Sequence, residues 1–206
     1  MPRPRSLSTE RLAGAALAVI DRDGLAGLSM RAVAKELGTS TMALYRYVRD
    51  REELEGLVVD LVYAEVDPTP PSEGPWDARI EAMALRLRDA FGAHAAIVPL
   101  TLTHRHASAG SLCWGEAVAS ILAEAGITGP RAAIALRALI AYIIGAIQLE
   151  HLGALSGEGT AVIAALPAGQ FPALTETARH ARHLGPGEEF RGGLAAVLRG
   201  LGAAGV

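Results

Sequence analysis

The chain has 206 residues, half of them apolar and a fifth charged, which excludes a disordered chain and suits one large or two small packed domains. Its net charge of −3 hides an asymmetry: residues 1–51 hold nine Arg and Lys against five acidic residues, and the remainder ten against seventeen. A basic head on an acidic body suits a protein that touches phosphate with one end only, although chance clustering would look the same on charge alone.

The first helix is expected to begin at Ser8 or Thr9, with Leu12, Ala15, Ala16, Val19 and Ile20 at helical spacing, and to stop at Asp23-Gly24. Ser29 caps a second helix whose buried face is Val33, Ala34 and Leu37, and Gly38 ends it in the left-handed conformation. Thr39 or Ser40 caps a third, with Leu44 and Val48 pointing inward. Asp50 and Glu53 form a capping box for a fourth, whose stripe is Leu54, Leu57, Val58, Leu61 and Val62. The breaker-rich residues 67–75 then mark the clearest boundary, dividing a domain of residues 1–66 from one of 67–206.

Beyond it, helices are expected at about 76–92, 94–104, 110–126, 130–154, 172–183 and 187–202. The longest is apolar around most of its circumference (Ile134, Leu136, Leu139, Ile140, Ile143, Ile144, Ile147), which suggests a subunit interface as well as a core. Residues 153–170 read as loosely ordered, apart from a short apolar run at 160–166. The fold class is therefore all-α. It consists of a helix-turn-helix head of three helices, joined by a fourth to a helical bundle that dimerises.

A helix ending in glycine, a short turn and a third helix form a motif whose last helix enters the DNA major groove. Thr39, Ser40, Thr41, Met42, Tyr45, Arg46 and Tyr47 point away from the Leu44/Val48 face. Hydroxyls suit phosphates or bases, Arg46 suits guanine, and Met42 suits a thymine methyl. Arg49 and Arg51 follow within reach of the DNA backbone.

The segment from Leu28 to Leu54 closely resembles the head of the TetR family of bacterial repressors. The family's marks stand here as Leu25 and Leu28, Arg31, Val33-Ala34, Leu37-Gly38, Leu44-Tyr45-Arg46-Tyr47-Val48 and Leu54. By that resemblance Ser29, Arg31, Thr39, Thr41, Met42, Tyr45, Arg46 and Arg51 fall where the family contacts DNA, with Tyr45 and Arg51 at its usual phosphate contacts. The body resembles the subgroup nearest the tetracycline repressor, through Trp76, residues 123–127, Tyr142-Ile-Ile-Gly145, Phe171-Pro172 and Phe190 to Leu194. The resemblance implies a homodimer paired through the long helix and the terminal helix. It further implies a palindromic double-stranded operator read in successive major grooves, and a small-molecule effector that releases the operator. Asp67 and Thr101 stand where two of the tetracycline repressor's ligand-site residues would fall, which argues against tetracycline as the effector.

Candidate ligand-facing residues are Trp114, Gln148, His151 and His104. Trp114 either lines a pocket or fills core, and His151 either faces a cavity or marks a helix C-terminus. His104 and His106, two residues apart, do not share a helix face, so no metal site is expected. Cys113, the lone cysteine, reads as a small core residue, and its solitude fits a reducing cytoplasm. Neither a signal-type run after the basic residues 1–5 nor an uncharged apolar run of about 18 residues occurs, so no membrane partner is expected. No phosphate loop, nucleophile elbow or Cys/His spacing is present, so neither catalysis nor a cofactor is expected. The rival readings are an activator or ligand-independent regulator of the same fold, or a small-molecule-binding bundle without DNA function.

Overall fold

The computed structural model describes residues 7–203, and among these every regular element is a helix. The basic stretch at residues 1–5 lies outside the described residues. Two compact units form: one from residues up to 70 together with 86–118, the other from 71–85 together with residues from 119 onward.

In the first unit, α1 (Thr9–Gly27) starts at Ser8, whose hydroxyl accepts from the Arg11 amide at 3.2 Å. Leu12, Ala16, Val19 and Ile20 are fully buried along one face. The expected stop at Asp23-Gly24 is a break rather than an end. Gly24 adopts φ 72° and ψ 175°, a region essentially open only to glycine, and helical geometry resumes to Gly27. Next come α2 (Met30–Glu36), α3 (Thr41–Leu44) and α4 (Arg51–Tyr63). The third helix is shorter than expected, because residues 45–47 form a turn after a single helical turn. α4 packs on α1, and Leu54, Val58, Val59 and Val62 are completely buried.

The rest of this unit comes from the end of α5 (Trp76–Gly92), a 3-10 turn (Ala95–Ile97), α6 (Val98–His104) and the start of α7 (Ala109–Glu124). The expected helix at 94–104 is thus two pieces, the 3-10 turn packing on α1 and α6 on α4. Tyr63 meets the Phe91 ring edge-on at 4.8 Å between centroids. Its Cβ lies so close to Gly110 that a side chain there would collide with it. Burial pushes the Tyr63 phenol pKa up, partly offset by a hydrogen bond with the Ser111 side chain. The expected core residue Cys113 is instead exposed, on the outer side of α7 next to the buried Trp114.

In the second unit, α8 (Gly129–Gly153) and α11 (Pro186–Ala203) pack together, as do α9 (Glu158–Ala164) and α10 (Pro172–Ala181). α9 occupies the stretch expected to be loosely ordered. Its apolar run folds into two turns, starting at Gly157, but none of its residues is buried. On α8 the residues Ala135, Leu139, Ile143 and Ile147 form a buried stripe at a spacing of four. The opposite face is open: Ile134 and Leu152 are 67% and 78% exposed. By length and composition α8 would also be long and apolar enough to cross a membrane. Tyr142 fixes α8 against α11. Its hydroxyl donates to the carbonyl of Phe190 at 2.8 Å, and its ring occupies the space that a Cβ on Gly193 would need.

Gly24→Ala places a side chain in a backbone region that only glycine adopts freely. It is expected to destabilise the chain by about 1–3 kcal/mol, read as a lower midpoint in chemical denaturation.

Candidate nucleic-acid interface

The interface is built from two caps and one tight turn. The Ser29 hydroxyl accepts from the Ala32 amide at 3.1 Å and starts α2. At its far end Gly38, at φ 61°, allows the chain to reverse: the Gly38 amide donates to the Lys35 carbonyl and the Thr39 amide to the Ala34 carbonyl. These are the paired bonds of a Schellman motif, and they satisfy carbonyls that a helix end otherwise leaves unmet. Ser40 then stands at the start of α3 in extended geometry, without a side-chain cap bond.

Leu44 and Val48 are buried, at 0% and 2% exposure, and anchor the segment from beneath. Above them Met42 is 73% exposed and Tyr45 49%, with Thr39, Ser40, Arg46 and Tyr47 also exposed and Thr41 half-buried. Ser29 and Arg31 are exposed at the start of α2. Every sequence-expected DNA-facing residue of the turn and third helix thus has solvent access, with hydroxyls, a thioether, two phenols and a guanidinium among them.

The start of α4 closes this surface. The Asp50 carboxylate accepts from the Glu53 amide at 2.9 Å. The reciprocal bond of the expected capping box is displaced by one residue, since the Glu53 carboxylate accepts from the Arg49 amide at 2.7 Å rather than from Asp50. Glu53 also pairs with the Arg49 guanidinium at 3.1 Å. Its carboxyl pKa is held below the ordinary carboxylate value by the Arg49 amide first and the Arg49 side chain second. Arg51, the first residue of α4, is half-exposed and pairs with Glu55 at 2.7 Å. Sequence reading missed this bond and the partner on its far side, His104, 3.5 Å from the other oxygen of Glu55.

The candidate ligand-facing residues divide between the two units. His104 and Trp114 belong to the first unit and are buried, while Gln148 and His151 belong to the second, half-buried and exposed respectively. His104 lines a cleft of about 450 Å³ with Asp50, Glu53, Asp60 and Ser108 among its walls. Among the described residues no group of three or more His, Cys, Asp or Glu is placed to hold a metal.

Residues 12–55 match the model of the bacterial regulatory proteins of the tetR family, and residues 68–204 match the tetracyclin repressor-like C-terminal domain. The chain belongs to the TetR family. That family consists of DNA-binding transcriptional regulators, not enzymes, and the relatives matched by sequence are bacterial. The chain is similar to the HTH-type transcriptional repressor DrrR1 of Streptomyces coeruleorubidus, 33% identical over 150 residues. That match takes in 72% of this chain but 55% of the relative's length. The class A tetracycline repressor of Escherichia coli is 27% identical over 197 residues, covering 91% of this chain and 87% of the relative. Among solved structures, apo ActR of Streptomyces coelicolor superposes with a TM-score of 0.82 at 28% identity, covering 98% of this chain and 97% of that one. ActR in complex with actinorhodin gives a TM-score of 0.81 at 29% identity, covering 97% of each chain.

Because its pKa is lowered in the folded state, the Glu53 carboxylate adds stability above the ordinary carboxylate range. That stability is lost as pH falls through the lower, folded value. Between about pH 6 and about pH 3 the wild-type chain should therefore lose more thermal stability than Glu53→Gln, which lacks this titration. Equal losses would contradict the assignment.

Proposed function

We propose that this TetR-family chain is a ligand-responsive repressor whose head, residues 1–66, binds a palindromic operator and whose body, residues 67–206, dimerises and takes up a small molecule. The observation that carries the reading is the exposure of Thr39, Ser40, Met42, Tyr45, Arg46 and Tyr47 around the buried Leu44 and Val48, side chains whose chemistry suits groove and phosphate contacts. The proposed DNA contacts are Ser29, Arg31, Thr39, Ser40, Thr41, Met42, Tyr45, Arg46, Tyr47 and Arg51. In a dimer two such surfaces would lie one helical turn of DNA apart, roughly 34–36 Å.

Dimerisation is supported by the open face of α8. Ile134, Ala141, Gly145 and Leu152 lie along one side of the helix, opposite its buried stripe, and leave apolar surface that water alone would cover. A small-molecule effector is supported by the ActR complex with actinorhodin, a protein of the same fold and family. An effector shifts such a regulator only by its unequal affinity for the operator-binding and operator-released states. Trp114, Gln148, His151 and His104 stay the candidate ligand contacts. A cytoplasmic setting follows from action on DNA.

The test begins with selection of an operator from random duplexes by the full-length chain. Arg46→Ala should then cost about 1–3 kcal/mol on the selected operator and little on a scrambled duplex. Arg51→Ala should weaken both and lower the salt slope by about one phosphate contact. Equal losses on both duplexes for Arg46→Ala would refute base reading by that residue.

Placing a charge on the open face of α8, as in Ile134→Arg, should convert a dimer into monomers in sedimentation and lower operator affinity while far-UV helicity is kept. A wild-type chain that sediments as a monomer at micromolar concentration would overturn the dimer.

A further inference from the structure

The first turn of α4 carries a bond pattern that the DNA-reading surface alone does not require. Glu55 has only 15% of its side chain exposed, on a helix that buries Leu54, Val58 and Val59 in the core. A carboxylate so placed loses hydration, and a surface ion pair of ordinary strength returns little of it. The order is also unfavourable: arginine stands N-terminal to glutamate at a spacing of four, the weaker orientation on a helix.

What holds Glu55 there is the division of its two oxygens. One accepts from Nε of Arg51 at 2.7 Å, and the other faces Nε2 of His104 at 3.5 Å. His104 ends α6 and is itself 6% exposed, so Glu55 is backed by a side chain that cannot swing away into solvent. Arg51 is gripped a second time, its Nη2 donating to the carbonyl of Leu25 near the end of α1 at 3.2 Å. Both anchors use the Nε–Nη2 edge of the guanidinium. Neither bond uses Nη1, and 48% of the side chain stays exposed at the start of α4.

We propose that Glu55 is a positioning residue for DNA binding: backed by His104, it fixes the Arg51 guanidinium so that Nη1 is ready for a phosphate before DNA arrives. An arginine in a solvated first turn would otherwise lose its rotamer freedom on binding, at the expense of affinity. The bond to His104 further makes the orientation of Arg51 depend on where α6 sits against α4. This inference rests on the reading of Arg51 as a phosphate contact.

The test uses the full-length chain and a mixed-sequence duplex of about 30 base pairs at low salt, because a phosphate contact is read on any sequence. Anisotropy titrations compare Arg51→Ala, Glu55→Ala, Glu55→Gln and His104→Gln, alone and combined with Arg51→Ala. Glu55→Ala should weaken binding about three- to tenfold, and His104→Gln should weaken it in the same direction. Neither should add to the loss in the Arg51→Ala background. Glu55→Gln keeps an oxygen that accepts from Nε and should restore most of the affinity. Should Glu55→Ala not fold, His104→Gln carries the same cycle. Unchanged or tighter binding by Glu55→Ala or His104→Gln, with Arg51→Ala still weakened, overturns the positioning role and leaves Arg51 as a phosphate contact. Unchanged binding by Arg51→Ala overturns the phosphate contact and the positioning role together.

Discussion

Leu44 and Val48, both buried and four residues apart, hold a helix of one turn against the core of the head. A helix of four residues does not persist by itself, because nucleation is costly and one turn recovers little of that cost. The exposed surface of this segment is therefore shaped from below. Every exposed side chain from Thr39 to Tyr47 owes its direction to two aliphatic residues that never reach the groove. The Schellman turn at Gly38 sets the angle of entry, and the Asp50 cap sets the exit. Between these fixed ends the backbone has few alternatives, and a surface so prepared pays little ordering entropy on binding.

The same economy governs the charges of the head. Several arginines near the surface are already engaged by acids: Arg22 with Asp23 and Glu36, Arg49 with Glu53, Arg51 with Glu55. Arg31 and Arg46 make no ion pair among the described residues. The positive field of this end is thus less diffuse than the count of basic residues implies. It resolves into free guanidiniums on α2 and in the turn after α3, and tethered ones beside them. A tethered arginine trades reach for direction, which suits a phosphate at a fixed position better than a base edge that varies with sequence.

Much of the head was legible in the sequence because its signals are local. Ser8, Ser29 and Asp50 cap helices by contacts three residues away, and Gly38 marks its turn by lacking a side chain. Elsewhere the structure departs from the local signals. Gly24 breaks α1 without ending it, and the apolar run at 160–166 gains helical form from packing on α10. Cys113 faces outward although its type favours burial. The link from Glu55 to His104 joins residues 49 apart, and no spacing rule foresees such a pair. The proposed DNA contacts could be singled out for the opposite reason: all but Ser29, Arg31 and Arg51 lie within nine consecutive positions. The ligand candidates, scattered over two units, had no such concentration to guide them.

Each unit of the fold holds one of the two tryptophans, Trp114 buried in the first and Trp76 half-buried in the second. The chain is therefore born with a separate optical reporter in each half. Replacing either indole with phenylalanine leaves a fluorescence signal that belongs to one unit alone. The two melting curves so obtained reveal whether the halves lose their structure together or in turn, a question of cooperativity that whole-chain spectra average away.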